Sequence, residues 1–130
     1  MNTMNKKGND EMKNKLFIQL FETAEASGKT LKELGINRYV YLSYKRSTEA
    51  NNALINFYDM IDEENAEDII KCCRENGIKE FTISSNSTGM IRAIMALEAQ
   101  GCRLIGTAMV NRDNLRIDAK QIPAFKIEIL

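Results

Sequence analysis

The sequence predicts an α/β fold: a three-layer domain with a mostly parallel sheet of two βαβ units, an N-terminal helical cap and a C-terminal antiparallel edge strand. Three observations predict it. Strand-like runs at Leu54 to Met60, Lys79 to Ser84 and Arg103 to Val110 alternate with helical patterns. Each intervening helical pattern stops at a glycine, Gly77 or Gly101. At the C-terminus, Phe125, Ile127 and Ile129 alternate with Lys126 and Glu128, as in a strand with one wet face.

The elements follow in order. The spacing of Leu16, Phe17, Leu20, Phe21 and Ala24 predicts a helix from about 11 to 26, ended by Ser27-Gly28. Thr30 and Glu33 have capping-box spacing, which predicts a short helix ending at Gly35. Asn37 is a good cap for a third helix, although Tyr39 to Tyr44 is also strand-like in composition. Asn51-Asn52 breaks that element. Asp62 then caps a helix with acidic residues at its start and Lys71 and Arg74 near its end, matching the helix dipole. Its expected buried face is Ala66, Ile69, Ile70 and Cys73. The next helix carries Met90, Ile91, Ile94, Met95 and Leu97 on more than one face, which predicts cover on several sides. Asn111 to Asn114 is expected to turn, and Pro123 to start the last strand.

At 130 residues the chain is long enough for one domain and one core. Residues 1–11 are polar and read as a flexible tail. Residues 12–130 read as a single domain, with 12–50 the helical cap and 53–130 the sheet core. Lys plus Arg equals Asp plus Glu at 18 each, which argues against a general nucleic-acid binder. With no histidine, a Ser-His-Asp or Cys-His site within one chain is excluded, as are most zinc sites. Cys72, Cys73 and Cys102 form no CxxC pair and read as reduced core residues. No apolar run approaches the ~18 residues of a membrane span, and Met1 to Asp10 lacks the apolar stretch of a signal peptide. The expected location is cytoplasmic, with no membrane partner.

In a parallel sheet, ligands bind beyond the carboxyl ends of the strands. The stretch Ser84, Ser85, Asn86, Ser87, Thr88 and Gly89 lies there, between a strand and a helix. Its hydroxyl and amide groups, with the free N–H groups of the following helix, suit an anion. Arg112 adds a positive charge from a neighbouring loop. The same letters also spell an ordinary turn and helix cap. GxGxxG and a P-loop are both absent, so no dinucleotide or NTP cofactor is expected. A nucleophilic Ser84 or Ser85 would need a Lys or carboxylate base.

A second constellation spans Lys29 to Arg46, with five basic residues and one acidic. Its rhythm of short helix, Gly turn and capped helix resembles a helix-turn-helix, with Arg38, Tyr41, Lys45 and Arg46 as candidate nucleic-acid contacts. A hairpin that only packs on the sheet explains the same residues. The acidic run Asp59, Asp62, Glu63, Glu64, Glu67 and Asp68 reads as a solvated helix start, and its spacing matches no calcium loop.

The segment KEFTISSNSTGMIRAIMALEAQGCRLIG, Lys79 to Gly106, together with Gly28 to Gly35, resembles small uncharacterised bacterial proteins that accompany mobile elements and phages. The resemblance covers about residues 12–130. It implies an accessory role and carries no site residues.

The leading expectation is a non-catalytic accessory protein that binds a small anionic ligand or a protein partner at Ser84 to Gly89 with Arg112. The alternatives are a DNA-binding regulator using residues 29–46 and a histidine-free enzyme at the strand edge 84–89.

Overall fold

The computed structural model describes residues 31, 33–85, 89–112 and 121–130. The tail at 1–11 and the helix expected at 11–26 lie outside the described residues.

Helix α1, Arg38–Glu49, starts where Asn37 Oδ1 accepts the N–H groups of Tyr39 (2.9 Å) and Val40 (3.2 Å). The strand-like composition of Tyr39 to Tyr44 is thus overridden by a good cap. The chain leaves α1 through Asn51, whose φ of 58° sits in the left-handed region that asparagine tolerates. Strand β1, Asn56–Tyr58, is much shorter than the run that predicted it. Helix α2, Ala66–Glu75, follows. Asp62 stands a turn ahead of it, where its carboxylate accepts the N–H groups of Glu64 and Asn65. The expected face of α2 is buried, with Cys72 added. Strand β2 is Glu80–Ser84, helix α3 is Met90–Ala99, strand β3 is Cys102–Asn111 and strand β4 is Gln121–Ile129.

Of the short helix expected at 30–35, residues 30 and 32 lie outside the described residues and the others are not helical. Residues 31 and 33–35 form turns, closed by Ile36 N–H on the Leu31 carbonyl at 2.9 Å. Gly35 has φ +70°, and with the Ile36–Leu31 bond it closes the turn in the manner of a helix stop before the chain enters α1.

The expected mostly parallel sheet of two βαβ units is corrected. The sheet is mixed, four-stranded and ordered β1-β2-β4-β3. Only β1 and β2 are parallel, with Phe57 opposite Ile83. β4 is antiparallel to both neighbours, so it is an interior strand rather than the C-terminal edge. β2 and β3 therefore point the same way, but with β4 between them. The reason is that β2-α3-β3 leaves a one-strand gap which the β3–β4 hairpin fills. The alternation at Phe125 to Ile129 reads the same for an edge strand and an inserted one, so the pattern did not separate them.

Pro123 is likewise inside β4, opposite Met109, and not at its start. Asn111 turns both its N–H and its C=O away from β4. Two residues along, the Met109–Pro123 pair is then of the non-hydrogen-bonded kind. The missing proline N–H faces the far side, where β2 does not begin pairing until Phe125.

The core lies on one face of the sheet. Phe57, Phe81, Ile83 and Ile127 meet Ile69, Ile70 and Cys73 of α2 and Leu97 of α3. Phe57 and Phe81 pack edge to face at 5.1 Å. α3 departs from expectation: Ala93 and Leu97 are buried, but Ile91 and Met95 are 71% and 64% exposed. The three-layer expectation also fails, since among the described residues α2 and α3 cover the same apolar face. All three cysteines are buried and free. Among the described residues no helix is long and apolar enough to cross a membrane.

Candidate binding cavity between α1 and the end of β3

The buried stripe of α1 is Val40, Ser43, Tyr44 and Ser47. Two of its four members are serines. Val40 and Tyr44 join the core, while Ser43 and Ser47 face a cavity of about 300 Å³. Ser47 Oγ accepts the Asn56 N–H at 2.8 Å, so α1 seals the outer edge of β1.

Asn56 is the centre of a buried polar network on the sheet face opposite the core. Its Nδ2 donates to Ser84 Oγ (2.8 Å), and its Oδ1 accepts from Thr82 Oγ1 (2.8 Å). No buried side-chain nitrogen or oxygen among the described residues lacks a partner. Such a network is tolerated only when it is satisfied throughout.

The far wall comes from the end of β3. Asn52 Nδ2 donates to the Asn111 carbonyl (2.9 Å), and Asn111 N–H donates to Asn52 Oδ1 (2.8 Å). Asn111 Nδ2 also donates to the Ala50 carbonyl at 2.9 Å. This clasp joins the α1–β1 loop to the end of β3. The next residue, Arg112, then lies over the Tyr58 ring, 5.1 Å from its centroid. Arg46 and Arg112 both line the cavity, as does Glu49. Among the described residues, neither arginine has a carboxylate at ion-pair distance; the ion pair present there is Arg103 with Glu128 at 3.0 Å.

The expected site residues are divided between two places. Ser84 is buried and committed to Asn56. Ser85 donates its hydroxyl to the Asp59 carboxylate. Gly89 precedes α3 with φ −74°, so its backbone does not require glycine. These three line a smaller hollow of about 90 Å³ beside Asp59. Asn86, Ser87 and Thr88 lie outside the described residues. Arg112 belongs to the larger cavity instead, with Arg46. A carboxylate beside Ser85 makes the smaller hollow a poor place for an anion.

The nucleic-acid candidates also separate. Arg38 is exposed and donates to the Tyr39 hydroxyl at 2.7 Å. Tyr41 is half-buried, Lys45 is exposed, and Arg46 borders the cavity. The described part of the first helix-turn-helix element is turn. The acidic residues Asp59, Asp62, Glu63, Glu64, Glu67 and Asp68 are all exposed.

Sequence reasoning missed Ser43, Ser47, Asn52, Asn56 and Tyr58, and it read Asn111 as a turn residue, whereas Asn111 ends β3. Two signals were available. Asn56 interrupts an otherwise apolar strand between Ile55 and Phe57, and Ser43 and Ser47 share helical spacing with Val40 and Tyr44.

Fold and cavity together define a small mixed-sheet α/β domain with a polar cavity beside its parallel strand pair. The chain belongs to the family described as a domain of unknown function, DUF7698, whose profile matches residues 39–129. That span includes both arginines and both asparagines of the clasp. No curated protein and no solved structure matches the chain.

Proposed function

We propose that this domain is a non-catalytic binder of a small anionic ligand, held in the cavity between α1 and the end of β3. One observation carries the reading: Arg46 and Arg112 border a polar cavity without a counter-carboxylate at ion-pair distance among the described residues. Its serine and asparagine side chains offer neutral hydrogen bonds, and Glu49 is the one carboxylate among the described lining residues. The volume of about 300 Å³ stands at the small end of ligand pockets. The accessory role in a mobile element or phage rests only on the resemblance carried by Lys79 to Gly106 and Gly28 to Gly35.

The test is a thermal-shift screen of small organic and inorganic anions on the intact chain and on an Arg46→Ala/Arg112→Ala variant. The reading expects at least one anion to raise the melting temperature of the parent, with the gain abolished in the variant. A gain that survives in the variant would place the ligand elsewhere. No gain from any anion would remove the reading.

A further inference from the structure

We infer that the ligand of this cavity is a small phosphomonoester, gripped between the guanidinium groups of Arg46 and Arg112. The inference rests on the anion-binding reading above and names the class of its ligand.

Charge is the first argument. Arg46, Arg112 and Glu49 give the bare cavity side chains one net positive charge. That excess favours an anion. A phosphomonoester, near −2 at neutral pH, offers one negative charge to each guanidinium, with the Glu49 carboxylate opposing it.

Donor geometry is the second argument. A guanidinium presents a planar fork that fits two phosphate oxygens at once. The two forks come from different elements, α1 and the end of β3, whose separation the Asn52–Asn111 clasp sets. Arg112 is also held against the Tyr58 ring, which restricts its freedom before any ligand arrives.

Ser43 supplies a third, independent observation. It is 1% exposed, lines the cavity, and donates its hydroxyl to the thioether sulfur of Met60. Thioether sulfur is a weak acceptor, so a buried hydroxyl is spent on a poor partner. A phosphate oxygen in the cavity is a far better one. The three terminal oxygens of a phosphate, each able to accept more than one hydrogen bond, can serve both forks and the hydroxyl.

The experiment is isothermal titration calorimetry on the full chain with glycerol 3-phosphate and adenosine monophosphate. Succinate and malonate serve as dianions of the same charge, and inorganic phosphate as the bare group. The inference expects a phosphomonoester to bind about tenfold or more tightly than either dicarboxylate, which is ~1.4 kcal/mol. Arg46→Lys and Arg112→Lys keep the charge but lose the fork, and each is expected to weaken phosphomonoester binding about tenfold. Glu49→Gln removes the opposing charge and is expected to tighten it. Equal affinity for dicarboxylates, or full affinity in both lysine variants, would overturn the phosphomonoester inference and leave the anion reading standing. Absence of binding by every anion would overturn both. Circular dichroism of each variant separates lost binding from lost folding.

Discussion

Asn52 and Asn111 exchange two hydrogen bonds, side-chain amide to backbone N–H and C=O, across 59 residues of sequence. Asn52 thereby acts as a one-residue strand neighbour for the outer edge of β3. The pair is half-buried, so removing one partner strands polar groups that water only partly reaches. Asn52→Ala is expected to lower unfolding free energy by about 1–3 kcal/mol. Asn111→Ala leaves the backbone half of the exchange in place, and is expected to cost about 1 kcal/mol through the lost Ala50 contact. The double variant is expected to cost less or more than the sum, because the residues touch. Urea denaturation of the three proteins checks this, and strict additivity would show that the clasp is not a unit.

The buried polar network predicts a sharper loss at Asn56. Asn56→Leu keeps the volume but takes a partner from the buried Thr82 and Ser84 hydroxyls, leaving Thr82 its longer bond to the Ile55 carbonyl at 3.4 Å. The expected cost is about 2–4 kcal/mol, from two hydroxyls losing a partner plus the strain of reshaping. Asn56→Leu with Thr82→Val and Ser84→Ala is expected to recover part of it. Chemical denaturation curves provide the measurement. A neutral Asn56→Leu would show that water replaces the amide.

The two faces of α3 and α2 predict a contrast. Ile69→Ala in α2 empties a fully buried site and is expected to cost about 2–5 kcal/mol. Ile91→Ser and Met95→Ser lie on the exposed face of α3 and are expected to stay within about 0.5 kcal/mol of the parent. A large loss at Ile91 or Met95 in thermal melts would mean that this face is covered in solution.

Alkaline pH is expected to weaken the fold. Burial pushes the Cys72, Cys73 and Cys102 thiols up, and for Cys73 the neighbouring Cys72 and Cys102 add to it. Burial also pushes the Tyr44 hydroxyl up, against a hydrogen bond from Thr48 that pulls it down. Unfolded thiols ionise near ~8.5, whereas the folded thiols hold their protons to higher pH. The folded state therefore binds more protons above that value, and stability falls as pH rises. It is fully retained below it. Urea midpoints at pH 7, 8.5 and 10 check the direction, and Cys73→Ala is expected to flatten the slope.

At Gly101, φ is +82° and an added Cβ would come 2.7 Å from Arg74 Nη2. That guanidinium ties the end of α3 to the C-terminus, donating to the Gln100 and Leu130 carbonyls at 2.8 and 3.3 Å. Gly101→Ala is expected to cost about 1–2 kcal/mol, from a strained backbone and a displaced arginine. A thermal melt within error of the parent would show that both give way freely.

The local sequence was enough for α2 with its buried face, the α1 cap at Asn37, the glycine stops at Gly77 and Gly101, and the reduced cysteines. Each depends on neighbours within a turn or on a period within one element. Strand order was not local. Whether β4 lies at an edge or between β2 and β3 depends on which gap the hairpin fills, and alternation at Phe125 to Ile129 is the same in both. The cavity was decided at the same level. Arg46 and Arg112 are far apart in the chain, and their meeting requires α1 along the β1 edge and the Asn52–Asn111 clasp. The chain by itself determined α1, α2 and α3 and the buried face of α2, but not the exposure of Ile91 and Met95. Only the packed sheet decided which polar residues share a cavity, because long-range pairing is chosen by the burial of the whole core and not by any one segment.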